Sequence, residues 1–172
     1  MDKLLALLKE LIYKIGLSPV LDQFIYRYRR NKNKNENDAY RKAHPGEKIP
    51  PDYYLYETFQ IHYRNFFEQG DLTARELHEW TEQYFANYAQ PFKILEWGCG
   101  VARVCRYLDR YFPEAAVFGC DINPKMIEWD KENIPNVTFS LINYNPPTGY
   151  AADTFDFAYG LSVFTHIEDP EQ

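Results

Sequence analysis

Residues 93–104 read KILEWGCGVARV. Lys93 to Trp97 is a short, mostly apolar run with strand character, and Gly98, Cys99 and Gly100 follow at once. Glycines directly after a strand let the backbone approach a ligand closely, and the N-terminus of a following helix favours a negative group. VARVCRYLDRYF (101–112) reads as that helix, with Pro113 beyond it. AVFGCD (116–121) reads as a second strand, and Asn123-Pro124 as the N-cap and first residue of a helix through about Lys131. VTFSLI (137–142) is a third strand, and FDFAYGLSVF (155–164) begins as a fourth. Strands alternating with helices predict βαβ units and a parallel sheet, the α/β class.

Asp121 ends the second strand, 21 residues after Gly100. A carboxylate there can accept two hydrogen bonds from a ribose diol. Two cofactor patterns place glycines this way. The nicotinamide dinucleotide fingerprint G-x-G-x-x-G would put its third glycine at Arg103, where a long side chain obstructs close helix–strand packing. The other pattern is acid-x-G-x-G-x-G. Glu96, Gly98 and Gly100 match it, and Ala102 stands in the third glycine position.

On these segments the chain resembles the class I S-adenosylmethionine-dependent methyltransferases over about residues 92–169. ILEWGCGVARV is similar to their first motif, VFGCDINPKMIEW to their second and FDFAYGLSVFTHIED to their fourth-strand motif. The resemblance implies a Rossmann-like sheet with four strands in the order 3-2-1-4. It implies S-adenosylmethionine as cofactor, with Gly98 and Gly100 against its methionine and ribose parts. Glu96 would anchor the loop and help hold the amino group. Asp121 would take both ribose hydroxyls, Ile122 and Met126 would pack on the adenine, and Asn143 would accept from its exocyclic amine. Arg103 is placed to reach the cofactor's carboxylate, or else to serve a surface or ion-pair role. His166, just after the fourth strand, is the candidate base or acceptor contact. A full core of this family has seven strands, so the expectation is of a truncated, cofactor-binding half. Its fourth strand would be an open edge that favours pairing with another chain, and hence a homo-oligomer.

Ahead of this segment, residues 1–91 read as a helical N-terminal region. Leu4, Leu8, Leu11 and Ile15 fall on one face of an amphipathic pattern, opposed by Lys3, Lys9, Glu10 and Lys14. Docking on the same domain or on a partner protomer is the expectation, with a membrane-surface anchor as the alternative. RYRRNKNKNEND (27–38) reads as a solvated linker or helix end. HPGEKIPPD (44–52) reads as an extended connector. Asp52 is placed to cap a helix that Gly70 would stop. Thr73 and Glu76 then form a capping box for a second helix with Leu77, Trp80, Tyr84 and Tyr88 on one stripe. The rings from Tyr53 to Tyr63 either wall a pocket as a lid or pack between helices and sheet.

The 15 Tyr, 12 Phe and 3 Trp are unusually many for 172 residues and fit either role. Charge is segregated: residues 1–50 carry +5 and residues 51–172 carry −11. The acidic part repels phosphate backbones, so nucleic acid is disfavoured and a small-molecule or saccharide acceptor is expected. Cys99, Cys105 and Cys120 are odd in number and form no C-x-x-C pair. That signals neither a disulfide framework nor a zinc site, and suits a cytoplasmic protein. The apolar run Leu4–Leu8 is too short for a signal peptide.

Overall fold

The computed structural model describes residues 18–85 and 92–163. Their centre is a four-stranded parallel sheet of β1 (Lys93–Trp97), β2 (Ala116–Asp121), β3 (Thr138–Leu141) and β4 (Phe157–Tyr159). The order is β3-β2-β1-β4, as the resemblance implied. Leu95 of β1 pairs with Phe118 on one side and Ala158 on the other, so β1 is central. That position explains its near-continuous apolar sequence, because Ile94 and Leu95 are buried. Strand order reverses at β1, and such a switch point opens a crevice at the carboxyl ends of the strands.

Among the described residues, four helices precede the sheet: α1 (Ser18–Lys32), α2 (Lys34–Ala43), α3 (Asp52–Thr58) and α4 (Tyr63–Phe85). The polar segment 27–38 is therefore the end of α1 and the start of α2, the helix-end alternative and not the linker. Its asparagines have a long-range task. The helical run breaks between α3 and α4, and the Ile61 carbonyl left there accepts from Asn33 Nδ2 (2.9 Å) and Asn37 Nδ2 (3.2 Å). The Tyr63 amide donates to Asn37 Oδ1 at 2.9 Å. Buried backbone groups need such partners, so the Asn side chains make the break tenable. Asp52 closes the same corner, accepting from Arg30 Nε at 2.8 Å and from the Tyr63 hydroxyl at 2.6 Å.

The helix expected from Asp52 to Gly70 is thus two helices, and Gly70 stops neither. It lies inside α4, where a Cβ would run into the Arg103 carbonyl oxygen. The glycine serves close approach of two backbones, not chain reversal. Thr73 is likewise no cap, since its hydroxyl donates to the Gln69 carbonyl one turn back. Of the expected stripe, Leu77 is buried while Trp80 and Tyr84 are exposed; Tyr88 lies outside the described residues. Gly70→Ala should lower unfolding free energy by about 2 kcal/mol, through displacement of a backbone that cannot rotate away. Urea titration would measure it.

One apolar cluster runs from the helices into the sheet. It includes Tyr40, Leu55, Phe66 and Phe67 of the helices, and Ile94, Val117 and Phe139 of the strands. Tyr40 stacks on Phe67 with ring centroids 5.5 Å apart, and Phe66 meets Phe67 edge-on. Much of the high aromatic content is core. Beyond β1 the expected long helix is replaced by a turn at 101–104, a 3-10 turn (Cys105–Tyr107) and a single helical turn, α5 (Leu108–Tyr111). After β2, α6 spans Pro124–Asn133, and the Asn123 side chain caps it by accepting from the Lys125 and Met126 amides.

Candidate functional site

The glycine turn takes its shape from alternate left-handed residues. Gly98 (φ +71°), Gly100 (φ +56°) and Ala102 (φ +53°) all have positive φ. This is the conformational content of the x-G-x-G-x-G spacing, and Ala102, fully buried, adopts at some cost what glycine adopts freely. The turn is tied to β2 by the Gly98 and Cys99 amides, which donate to the Cys120 carbonyl at 2.8 and 3.0 Å.

Two carboxylates fix what remains. Glu96, buried on β1, accepts from the Cys105 amide at 2.9 Å. Burial pushes its pKa up, against the pull of that bond and of Arg103. Asp121, at the end of β2, accepts from the Gly100 amide at 2.9 Å through one oxygen and from the Asn123 amide at 2.8 Å through the other. Each oxygen of a carboxylate has two acceptor sites, so both keep capacity for a further donor.

These groups border a cavity of about 530 Å³. Glu96, Gly98, Gly100, Arg103, Asp121, Ile122, Met126 and Asn143, the full set expected from sequence to bind cofactor, line it together. Met126 is buried, whereas Ile122 and Asn143 are exposed at the rim. Arg103 lies in the turn, not at a helix start. Its guanidinium sits 4.7 Å from the centre of the Phe59 ring, and burial lowers its pKa. His166 lies outside the described residues.

Sequence reasoning missed part of the wall. Glu57 and Thr58 come from the end of α3 beside Phe59, and Tyr144, Leu161 and Val163 come from loops after β3 and β4. The signal for the loop residues was available, since segments following parallel strands converge at the switch point. Among the rings from Tyr53 to Tyr63, Phe59 lines the cavity. Tyr56 instead donates to Asp22 at 2.6 Å, and Tyr63 is core. The α3 end thus covers the glycine turn, with the Thr58 methyl above Gly100, 2.8 Å from where a Cβ would stand. Gly100→Ala should cost about 2 kcal/mol, part from positive φ and part from this contact. Adding Thr58→Ser removes the methyl but keeps the hydroxyl that bonds the Tyr54 carbonyl, and should restore the contact part. Denaturant melts of the double-mutant cycle read this directly.

The three cysteines are buried and free. Burial raises each thiol, Cys120 to about 11, so none is a ready nucleophile. No metal-ligand cluster occurs among the described residues.

Residues 95–172 match a family model described as a methyltransferase domain. The malonyl-[acyl-carrier protein] O-methyltransferase of Priestia megaterium is 30% identical over 89 residues, covering 51% of this chain and 32% of that protein. The chain therefore spans about a third of the length of that curated relative. Among solved structures, the magnesium protoporphyrin IX methyltransferase of Synechocystis PCC 6803, with bound SAH, is 19% identical. It covers 81% of this chain and 59% of that one, with a TM-score of 0.45. A TehB-like SAM-dependent methyltransferase of Corynebacterium glutamicum is 19% identical, with coverages of 76% and 55% and a TM-score of 0.37. The matched residues 95–172 hold the glycine turn, Asp121 and most of the parallel sheet, so this part of the chain is similar to a methyltransferase domain over the same segments that carry the motifs.

Proposed function

We propose that the chain binds S-adenosylmethionine and serves methyl transfer to a small-molecule or saccharide acceptor. The observation that carries this reading is the convergence of the eight expected residues on one cavity. Their chemistry fits the group. The left-handed glycines let Val163 and Thr58 pack directly onto the turn that borders the cavity, and two carboxylates offer acceptors for an ammonium and a diol. When bound, the sulfonium supplies an electrophilic methyl group.

Glu96 would accept from the amino group while holding the turn through Cys105. Arg103 would face the carboxylate, kept in place by Phe59. Asp121 would use its spare acceptor sites on both ribose hydroxyls. Ile122 and Met126 would flank the adenine, and Asn143 would accept from its amine. The α3 end would keep water from the reacting centre and help align the acceptor. His166 would hold or take the acceptor's proton. We further propose that the edge of β4, which ends the sheet among the described residues, pairs with another chain, which light scattering would report as a dimer.

Calorimetry with S-adenosylhomocysteine tests the cofactor reading, with one molecule bound per chain expected. Absence of binding overturns it and leaves an interaction module as the reading. In a methyl-transfer assay with the acceptor, His166→Ala should lower turnover about a hundredfold where a general base is needed.

A further inference from the structure

The exposed face of α1 is apolar. Val20, Phe24 and Tyr28 follow at helical spacing and are 65, 69 and 62% exposed, with Leu21 beside them. At about 100° per residue these four cover an arc of roughly 100° on the helix. The other side of α1 is accounted for. Asp22 accepts from Tyr56, and the Tyr26 ring meets Tyr53 and Tyr56 at 5.4 and 5.5 Å.

Cations border the arc. Arg27 and Lys32 flank it, both exposed. Arg29 and Arg30 are engaged elsewhere, over the Tyr56 ring and with Asp52. A single exposed apolar residue is ordinary, but four on one stripe between cations are not. Residues 1–50 carry +5 while the rest carries −11, so positive charge is gathered at this end of the chain. The sequence just ahead repeats the theme, with Leu4, Leu8, Leu11 and Ile15 alternating with Lys3, Lys9 and Lys14.

We propose that the exposed face of α1 seats the chain on an anionic lipid surface. Phe24 and Tyr28 would enter the boundary between headgroups and acyl chains, and Arg27 and Lys32 would meet lipid phosphates and carboxylates. The helix lies in the surface; among the described residues none is long and apolar enough to cross a membrane. The acidic remainder is repelled by the same charges, which orients the chain with α1 downward.

Vesicle flotation of the full chain is the test. With phosphatidylcholine vesicles containing about a third phosphatidylserine, most of the protein should float. With phosphatidylcholine alone, or in about 0.5 M salt, the bound fraction should fall about tenfold. Phe24→Asp with Tyr28→Asp should abolish flotation, and Arg27→Glu with Lys32→Glu should reduce it about tenfold. Circular dichroism should show unchanged helix content in both variants. Two results overturn the proposal. One is wild-type protein that stays with the buffer. The other is a soluble dimer, seen by light scattering, that Phe24→Asp dissociates while flotation persists.

Discussion

Asp130→Ala is expected to make the chain more stable at pH 8 and to change it much less at pH 4. Asp130 lies on α6, wholly buried, and neither carboxylate oxygen has a hydrogen-bond partner. The nearby Arg106 guanidinium does not pair with it. That group donates to the Ala102 carbonyl at 2.7 Å, the Val101 carbonyl at 2.9 Å and the Lys48 carbonyl at 3.3 Å. Burial therefore pushes the Asp130 pKa from 3.8 up to about 8, with Arg106 opposing and Asp121 and Glu96 adding to the rise.

The sign follows from proton linkage. Above about pH 4 the unfolded chain is ionised at this position while the folded chain holds the proton, so folding takes a proton up. Stability is greatest below the unfolded pKa, falls as pH rises towards the folded pKa, and levels off above it. Each unit of that interval is worth about 1.4 kcal/mol. Relaxation and water entry reduce the full amount, and about 3 kcal/mol is expected between pH 4 and pH 8. Alanine has no such term and suits a helix interior better. Urea titrations of both proteins across this range would show it, and a difference that stays constant with pH would refute the account.

The second large effect is on ligand affinity. Asp121→Ala should weaken S-adenosylhomocysteine binding at least about a hundredfold. Two losses add. The ribose would lose the acceptor proposed for it, and the Gly100 and Asn123 amides lose theirs, so the turn that shapes the cavity loosens. Asp121→Asn keeps one acceptor oxygen but turns an NH2 towards an N–H that needs an acceptor, and about a tenfold loss is expected. Calorimetry separates the two losses when a 2′-deoxyribose analogue is titrated alongside. If Asp121 serves the diol, Asp121→Ala costs less affinity for the analogue than for the parent compound.

The strands, their order and the convergence of the candidate cofactor residues on one cavity were legible from sequence for a local reason. A short apolar run, a glycine turn and an acid at the next strand end are all adjacent in the chain. The helical part was harder because its logic is long-range. Asn33 and Asn37 look like linker residues until the Ile61 carbonyl, more than 20 residues away, needs donors. Gly70 looks like a helix stop until the Arg103 carbonyl occupies the space of its side chain. The cavity wall divides likewise. Asp121 announces itself by position, whereas Glu57 and Thr58 enter only through the way α3 packs.

The contact between Gly70 and Arg103 sets a rule for recombining this chain with relatives. The backbone of α4 moulds the loop that carries candidate cofactor residues, and one apolar cluster spans both. A chimera joined near residue 91 would mate one parent's helix with another's loop at the place where their main chains touch. Functional hybrids should therefore inherit α4 and residues 98–104 from the same parent, wherever else the crossover falls.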